Sequence, residues 1–263
     1  MSSHLDNSAL LGRDFPTCLR YHVSMRMKVL LVYIAGLLGI ILIVFVALAL
    51  QRQPDNNLVG VDVSWPNCKA NPSNAAFGIV GVTGGLDFSG NDCLRSEAAW
   101  FSAPMLYMNS GWPGTDFHLQ FKNSPRRCHD DNSTCLAYNY GFHAAQYALS
   151  YADSQLVHIN RWWIDVETDN SWTSDIQQNQ AAIKGMINAV KQNVLEAKVG
   201  IYSYPGQWEQ LVGSWRPALP AWVATGGSDR SLAIEACNGA SFTAGTVTLA
   251  QYTSSLDQDL ACF

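Results

Sequence analysis

Short β-like runs alternate with helical patterns between residues 58 and 252, and this alternation constrains the fold more than any other feature. The predicted strands are 58–63, 77–83, 104–108, 162–166, 198–202, 220–224 and 246–252. The predicted helices are 92–101, 137–152, 174–194 and 205–212. Strands that alternate with helices indicate an α/β chain with a largely parallel sheet, and about 200 residues favour a closed, TIM-like β/α barrel. Because helical patterns thin out in the last third, we expect an irregular, strand-rich barrel there.

An uncharged apolar run, residues 29–50, precedes this region. At ~1.5 Å per residue it matches the ~30 Å hydrocarbon core of a bilayer, so it is predicted to be a transmembrane signal anchor. All basic residues of the first 28 lie before or at its start, which predicts a single-pass protein in the cell membrane with its N-terminus inside and residues 51–263 outside. The alternative is a signal peptide cleaved near Ala47, which gives a secreted protein. The predicted domains are a cytoplasmic tail (1–28), the anchor (29–50), a linker (51–57) and the barrel (58–263).

Composition and charge exclude two classes of protein. A hydrophobic content of 48% with 14% charged residues excludes a disordered chain. Four basic and two acidic residues precede residue 51, which leaves 12 basic and 19 acidic residues after it. A part with that balance is a poor non-specific binder of nucleic acid, because phosphate contacts need a basic face.

Cysteine usage agrees with export. Cys18 precedes the apolar run, and the six others follow it: Cys68, Cys93, Cys128, Cys135, Cys237 and Cys262. Export permits disulfides, and six cysteines allow 15 connectivities. We favour pairing of nearest neighbours along the chain, which joins 68 to 93, 128 to 135 and 237 to 262. The His129-Asp130-Asp131 run beside Cys128 fits no common metal-ligand spacing, so no metal site is predicted.

Two carboxylates end an apolar strand in the segment WWIDVETDNSW. Asp165 and Glu167 are two residues apart, so on a strand they share one face, whereas Ile164 and Val166 face the other side. Two adjacent buried acids repel each other and burial disfavours charge, so the pKa of one should rise. An acid catalyst beside an ionised partner needs that arrangement, and barrel enzymes keep catalytic groups at this end of a strand. The alternative is a structural pair satisfied by backbone N–H groups or an arginine.

Other acids and tryptophans lie in comparable places. Asp62 is inside the apolar strand LVGVDVSW, where a lone carboxylate is costly unless it is paired or functional. Asp257 and Asp259 follow the last predicted strand. The tryptophans that flank these acids or strand ends are Trp65, Trp162, Trp172 and Trp222. A flat apolar face with one N–H donor suits a sugar ring, so the combination indicates a carbohydrate site.

Six motifs carry a family resemblance over residues 58–262. They are GVDVSW (60–65), FGIVGVTGG (77–85), WWIDVE (162–167), VGIYSYPGQW (199–208), PAWVA (220–224) and LAQYTSSLDQD (249–259). Their content and order resemble glycoside hydrolase family 25, the barrel lysozymes that cleave peptidoglycan next to N-acetylmuramic acid. The segments NSGWPG (109–114) and CLAYNYGFHAAQYA (135–148) look more like a divergent branch in exported bacterial proteins. The resemblance implies a flattened barrel whose last part is mostly strands.

The resemblance also implies roles for single residues. Glu167 matches the general acid/base, and Asp165 matches the carboxylate that assists the substrate's N-acetyl group. Asp62 matches the first-strand acid and Asp257 the last-strand acid. The candidate sugar-binding residues are Trp65, Tyr107, Trp162, Tyr202, Trp222 and Gln251. No metal and no organic cofactor is implied.

Two positions depart from the family pattern. Gly84 stands where the family usually has an acid, and Tyr107-Met108-Asn109 replaces its Tyr-His-Phe. Both changes alter the cleft and therefore bear on the substrate. His143, in the helix after the long loop, is expected to be structural.

The sequence as a whole predicts a membrane-anchored extracellular glycoside hydrolase. It would cleave peptidoglycan by acid/base catalysis with acetamido assistance. Its partners would be the glycan and, through residues 29–50, the membrane. One alternative is a catalytically decayed carbohydrate-binding or scaffold domain, which Gly84 favours. Another is a hydrolase of a different surface glycan.

Overall fold

The computed structural model describes residues 28–42, 58–70, 72, 74–114 and 119–262. The chain divides into two units, Met1–Asp55 and Asn56–Phe263. In the first unit the described residues form one helix, α1 (residues 28–42). Within these described ranges, no helix combines the length and the hydropathy that crossing a membrane requires, so the predicted transmembrane helix is not supported. Most of the predicted tail and the whole predicted linker lie outside the described residues.

Eight strands of the second unit form one closed barrel in chain order. They are β1 (Val59–Val63), β2 (Gly78–Gly81), β3 (Met105–Asn109), β4 (Arg161–Asp165), β5 (Lys198–Ser203), β6 (Ala221–Ala224), β7 (Val247–Tyr252) and β8 (Gln258–Ala261). Neighbours from β1 to β7 run parallel, as predicted. The sequence did not predict β8, which is antiparallel to β7 and β1 and closes the barrel. This strand and a register shift at Ala221/Trp222 confirm an irregular last third.

Five helices accompany these strands. They are α2 (Leu94–Ala98), α3 (Ser133–Ser154), α4 (Ile176–Asn193), α5 (Pro205–Val212) and α6 (Arg230–Asn238). Asp175 caps α4 by accepting hydrogen bonds from the backbone N–H groups of Gln177 and Gln178. Helix α3 starts earlier than predicted because Asn132 caps it. Helix α6 was not predicted; it buries only Ala233, so its sequence carries no apolar period.

Alternate side chains of each strand face the inside and the outside of the barrel. The inner set contributes Ile79, Met105, Trp163, Trp222 and Leu249 to one buried cluster. The outer set, including Val80, Ile164 and Ile201, packs in a larger core with apolar residues of α3 and α4. Apolar side chains therefore occupy the middle of the barrel and its outer layer, while polar side chains lie inside its C-terminal end.

Two glycines allow α3 and α4 to pack tightly. A Cβ atom on Gly141 would lie 1.9 Å from the carbonyl oxygen of Ala182, and one on Gly185 would lie 2.0 Å from that of Tyr138. Any other residue at either place would push the helices apart. Because this helix pair covers the outer face of the barrel, its close packing supports the strand that ends at Asp165.

Three disulfides join the six cysteines of this unit. Cys68 bonds Cys93, Cys128 bonds Cys135, and Cys237 bonds Cys262, with Cα atoms 5.5, 5.6 and 5.2 Å apart. The predicted pairing is confirmed. The first bridge joins the turn after β1 to the start of α2, and the third joins α6 to the end of β8. Cys18 lies outside the described residues.

Candidate active site

A polar cavity of about 310 Å³ lies at the C-terminal ends of the parallel strands. Asp62 of β1, Asp165 at the end of β4, Glu167 just beyond it and Asp257 directly before β8 all line this cavity. The structure thus brings together the four carboxylates that the sequence singled out. Their catalytic roles stay predictions.

Four of the six candidate sugar-binding residues line the same cavity. They are Tyr107, Tyr202, Trp222 and Gln251. Trp222 is 1% exposed, and its ring packs against Tyr202 with centroids 4.3 Å apart. Its indole Nε1 donates to Asp259 Oδ1 at 2.7 Å, so the N–H of Trp222 is already used within the protein.

Trp162 does not line the cavity, so its prediction as a sugar-binding residue was wrong. Its side chain is 2% exposed and packs in the outer core, with Nε1 donating to the carbonyl of Ile159. The reason is strand parity, because Trp162 is an odd number of residues from Asp165 and faces the other side. Trp163 has the inward parity instead and belongs to the barrel interior.

Trp65 also lies outside the cavity lining, although its neighbours Ser64 and Pro66 belong to it. Its side chain is 52% exposed. Its indole Nε1 lies 3.1 Å from the point where a Cβ atom of Gly85 would stand. Trp65 is therefore a rim residue beside the Gly84–Gly85 turn and not a wall of the cavity.

Asp165 and Glu167 form the first of two carboxyl pairs. Burial raises the pKa of Asp165 well above its usual range, and the charge of Glu167 and a hydrogen bond between the two carboxyls add to this. Burial also raises the pKa of Glu167, as does the charge of Asp169, while the hydrogen bond from Asp165 opposes the rise. Because the pKa of both carboxyls is raised, and that of Asp165 more strongly, we expect the pair to retain one proton, on Asp165.

Asn109, at the end of β3, and Thr83, just beyond the end of β2, orient this pair. Asn109 Nδ2 donates to Asp165 Oδ2 at 2.6 Å, and Thr83 Oγ1 donates to Asn109 Oδ1 at 2.7 Å. The backbone N–H of Asn109 donates back to Thr83 Oγ1 at 3.0 Å. Asn109 is one of the departures from the family pattern, and here it is a direct hydrogen-bond donor to the central carboxyl.

Asp62 and Asp259 form the second carboxyl pair. Burial raises the pKa of Asp62 to about 7, helped by the charge of Asp257. Burial raises the pKa of Asp259 well above its usual range, and the charge of Asp62 and the proximity of the two carboxyls add to this. Gln251 Nε2 donates to Asp62 Oδ2 at 2.8 Å, and Gln251 Oε1 accepts from Tyr202 Oη at 2.8 Å. The N–H groups of Gln251 and Trp222 therefore hold Asp62 and Asp259, respectively, in place.

Sequence reasoning underrated Asp259. It noted both acids of the segment LDQDL but gave the last-strand role to Asp257. Asp259 is fully buried within β8. Burial also raises the pKa of Asp257, but a backbone hydrogen bond from Ser254 partly lowers it again. The missed signal was an apolar pair, Leu260-Ala261, after Asp259, which is enough for a short closing strand.

The turn after β2 explains the missing acid at Gly84. A Cβ atom on Gly84 would lie 2.8 Å from the carbonyl oxygen of Gly90, and the Gly84 N–H donates to Ser89 Oγ at 3.0 Å. A larger residue would require this turn to open.

His143 makes its contacts away from the carboxyl pairs. Its Nε2 lies 2.9 Å from the Ser124 carbonyl oxygen, and its ring stacks on Phe121.

Known proteins match different parts of the chain. A family profile described as lysozyme-like protein 1 matches residues 133–228. A probable GH family 25 lysozyme 5 from Dictyostelium discoideum is 25% identical over 160 residues, which cover 57% of this chain and 74% of the relative. The chain is similar to family 25 lysozymes. The resemblance found in the motifs is thus confirmed, and it supports a glycosidase.

Two solved structures match part of this chain. The modular Cpl-1 endolysin, complexed with a peptidoglycan analogue, matches with a TM-score of 0.48 and 17% identity over 79% of this chain and 54% of its own. The modular autolysin LytC from Streptococcus pneumoniae matches with a TM-score of 0.47 and 14% identity over 78% of this chain and 46% of its own. The chain therefore spans about half the length of these two modular proteins.

Proposed function

We propose that this protein is a glycoside hydrolase that cleaves peptidoglycan. The single observation that carries the proposal is the convergence of Asp62, Asp165, Glu167 and Asp257 in one polar cavity at the C-terminal end of the barrel. Catalytic groups of barrel enzymes lie at this end. The similarity to family 25 lysozymes supports the glycan class of substrate.

In the proposed mechanism, the Asp165–Glu167 pair delivers one proton. The shared proton moves along the carboxyl–carboxyl bond to Glu167, which then protonates the glycosidic oxygen. Asp165 becomes ionised and accepts the N–H of the substrate's acetamido group. The acetamido oxygen attacks the anomeric carbon as the leaving group departs, and Glu167, now a carboxylate, removes a proton from the water that opens the cyclic intermediate.

The second carboxyl pair would bind the sugar and would take no part in the proton transfer. Asp62 and Asp259 are held by Gln251 and by the indole of Trp222. Tyr107 and Tyr202 keep their hydroxyl protons, because burial and then the nearby carboxylate charges raise the pKa of both. Protonated hydroxyl and amide groups around a carboxylate are suited to the hydroxyl groups of a bound sugar.

The proposal is tested with the purified full chain and bacterial peptidoglycan. Mass spectrometry of the products should show new reducing ends at N-acetylmuramic acid. Reducing ends at N-acetylglucosamine, or cleavage of chitin-type oligomers alone, would assign a different glycosidic bond. Glu167→Gln is the matched control, because it preserves the shape and removes the transferable proton.

A decayed carbohydrate-binding domain is the second candidate function, and Gly84 is the observation that favours it. The tight contact of Gly84 with Gly90 leaves no room for the family's acid at that position. The two readings differ in one measurement. A decayed domain binds wall glycans with the same affinity in wild type and Glu167→Gln and cleaves none of them.

We also propose that residues 29–50 export and anchor the barrel. The run is uncharged, basic residues precede it, and the following unit contains three disulfides, which persist in oxidising compartments. Protease treatment of intact cells, followed by N-terminal sequencing of the mature protein, tests this. Digestion of the barrel from outside with residues 29–50 retained supports an anchor, and a new N-terminus near Ala49 supports secretion.

A further inference from the structure

A second cavity, of about 660 Å³, lies at the opposite end of the barrel, where the strands begin. Met105, Trp163 and Leu249 from the barrel interior contribute to its wall, and Leu58 and Phe77 lie at the strand starts. This volume is typical of a small-molecule site. Among the described residues, the lining contains no carboxylate. It therefore contrasts with the acidic cavity at the other end.

Two cations stand side by side in this lining. Arg161 and Lys198 are direct partners across β4 and β5. Each is two residues before an inward-facing position, Trp163 and Gly200 respectively, so both have the inward parity. Like charges directly opposite each other destabilise a sheet.

These cations have no acidic partner in the described part of the chain, where the ion pairs lie elsewhere. Arg161 Nη1 contacts Met105 Sδ at 3.6 Å, a weak acceptor. Lys191, in the last turn of α4, adds a third cation to the same lining. An anion between Arg161 and Lys198 would remove their repulsion.

Trp163 gives an independent indication of a ligand. Its side chain is 3% exposed, and within the described ranges its Nε1 has no hydrogen-bond partner. Buried N–H groups are nearly always paired, so an unpaired one in a cavity wall calls for a missing acceptor. The benzo edge of the same ring covers Gly200, where any side chain would collide with it.

We propose that this cavity binds a single-chain anionic amphiphile, that is, a long alkyl chain with a carboxylate or phosphate head. The chain would pack against Met105 and Leu249, and the head, between Arg161 and Lys198, would accept the N–H of the Trp163 indole. The part after residue 50 has 12 basic and 19 acidic residues, so the attraction is local to this cavity. The site is independent of glycan cleavage, which is proposed at the other end of the barrel.

The test uses the full chain in nanodiscs of neutral phosphatidylcholine and a tetradecanoate that carries a diazirine at the end of its chain. After photolysis, peptide mapping should place the label on the segments that contain Met105 or Leu249. Unlabelled tetradecanoate and tetradecyl phosphate should reduce the labelling, whereas tetradecyltrimethylammonium should not. Replacing part of the phosphatidylcholine by lysophosphatidylglycerol, which has one acyl chain, distinguishes the sources: reduced labelling identifies a single-chain membrane lipid as the ligand, and unchanged labelling identifies a free fatty acid.

Charge variants provide the matched comparison. Arg161→Gln combined with Lys198→Gln should lower the apparent affinity of the probe by roughly 5-fold or more. Arg95→Gln combined with Lys69→Gln, two exposed cations elsewhere, should leave it within about 2-fold of wild type. The proposal is overturned if the label stays on residues 29–50, if the cationic amphiphile competes equally well, or if both double variants behave alike. Because the competition uses the wild-type protein, it decides the matter even if a variant fails to fold.

Discussion

The two carboxyl pairs of the active-site cavity share one contact and differ in everything around it. In each pair, burial and a neighbouring carboxyl raise the pKa of an aspartic acid well above its usual range. Asp62 also accepts a bond from Gln251, and Asp259 accepts one from Trp222. The Glu167 carboxyl accepts no side-chain bond from any described residue except Asp165. Glu167, which has no such N–H donor in the described part of the chain, can turn towards a ligand, whereas Asp62 and Asp259 are each held by one N–H donor.

Glu167→Gln, in the first carboxyl pair, should have the largest effect and tests whether the two pairs have different roles. The amide preserves the shape of the side chain but has no acidic proton to transfer. General acid catalysis contributes ~10²–10⁴-fold, so cleavage of peptidoglycan should fall by about that factor. Initial rates of reducing-end formation measure it, and binding to insoluble wall should be unchanged. Equal rates in the variant and the wild type would place the chemistry elsewhere.

Asp165→Asn should cost nearly as much, roughly 10²-fold, because it removes the partner of the shared proton and the charge that would steer the acetamido group. The decisive measurement is the double variant with Glu167→Gln. If the two carboxyls act as one unit, the combined loss should not exceed the larger single loss by much. Multiplying losses would show two independent roles.

The features of the site that could be predicted from the sequence are those that depend on neighbouring residues along the chain. The i, i+2 parity of a strand is a local rule, and it correctly placed Asp165 and Glu167 on one face. Applied to Trp162, the same rule would have shown that Trp163 is the inward residue. The three disulfides followed from order along the chain, and all three are confirmed.

What the sequence missed depends on register between distant strands. Asn109 reaches Asp165 because β3 and β4 pair those two residues directly. Thr83 joins them from beyond the end of β2, and no local pattern indicates that the three meet. Strand β8 and helix α6 were missed because four residues and a single buried alanine carry too little periodicity.

Asn109→Ala sharpens the comparison by removing the one N–H donor that the first pair has. Because a donor to a carboxylate favours its charged form, the pKa of Asp165 should rise further. We expect kcat to fall about 10-fold with little change in KM, and the acidic limb of the pH–rate profile to move to higher pH. Thr83→Val should give a weaker version of this shift. Thr83→Ser, which keeps the hydroxyl, is the matched control. An equal shift in both threonine variants would show that the Thr83 hydroxyl does not act on Asp165 through Asn109.

The smallest expected effect concerns the second carboxyl pair, Asp62 and Asp259, and it appears as a change in thermal stability. The pKa of Asp62 is raised by burial to about 7 from 3.8 in the unfolded chain. A raised pKa means that the folded state binds this proton more tightly, so its contribution is complete below pH 3.8 and is lost as the pH rises through about 7. In Asp62→Asn the group no longer titrates, and the amide keeps the size and shape of the carboxyl. The fall in Tm between mildly acidic and mildly alkaline pH should therefore be smaller than in wild type, by about 2–4 °C for each kcal/mol removed. Differential scanning calorimetry across that range measures the slope, and Asp131→Asn, an exposed acid outside the cavity, should leave it unchanged. If Asp62→Asn and wild type show the same slope, the second pair does not hold its proton in the folded state, and the difference between the two pairs disappears.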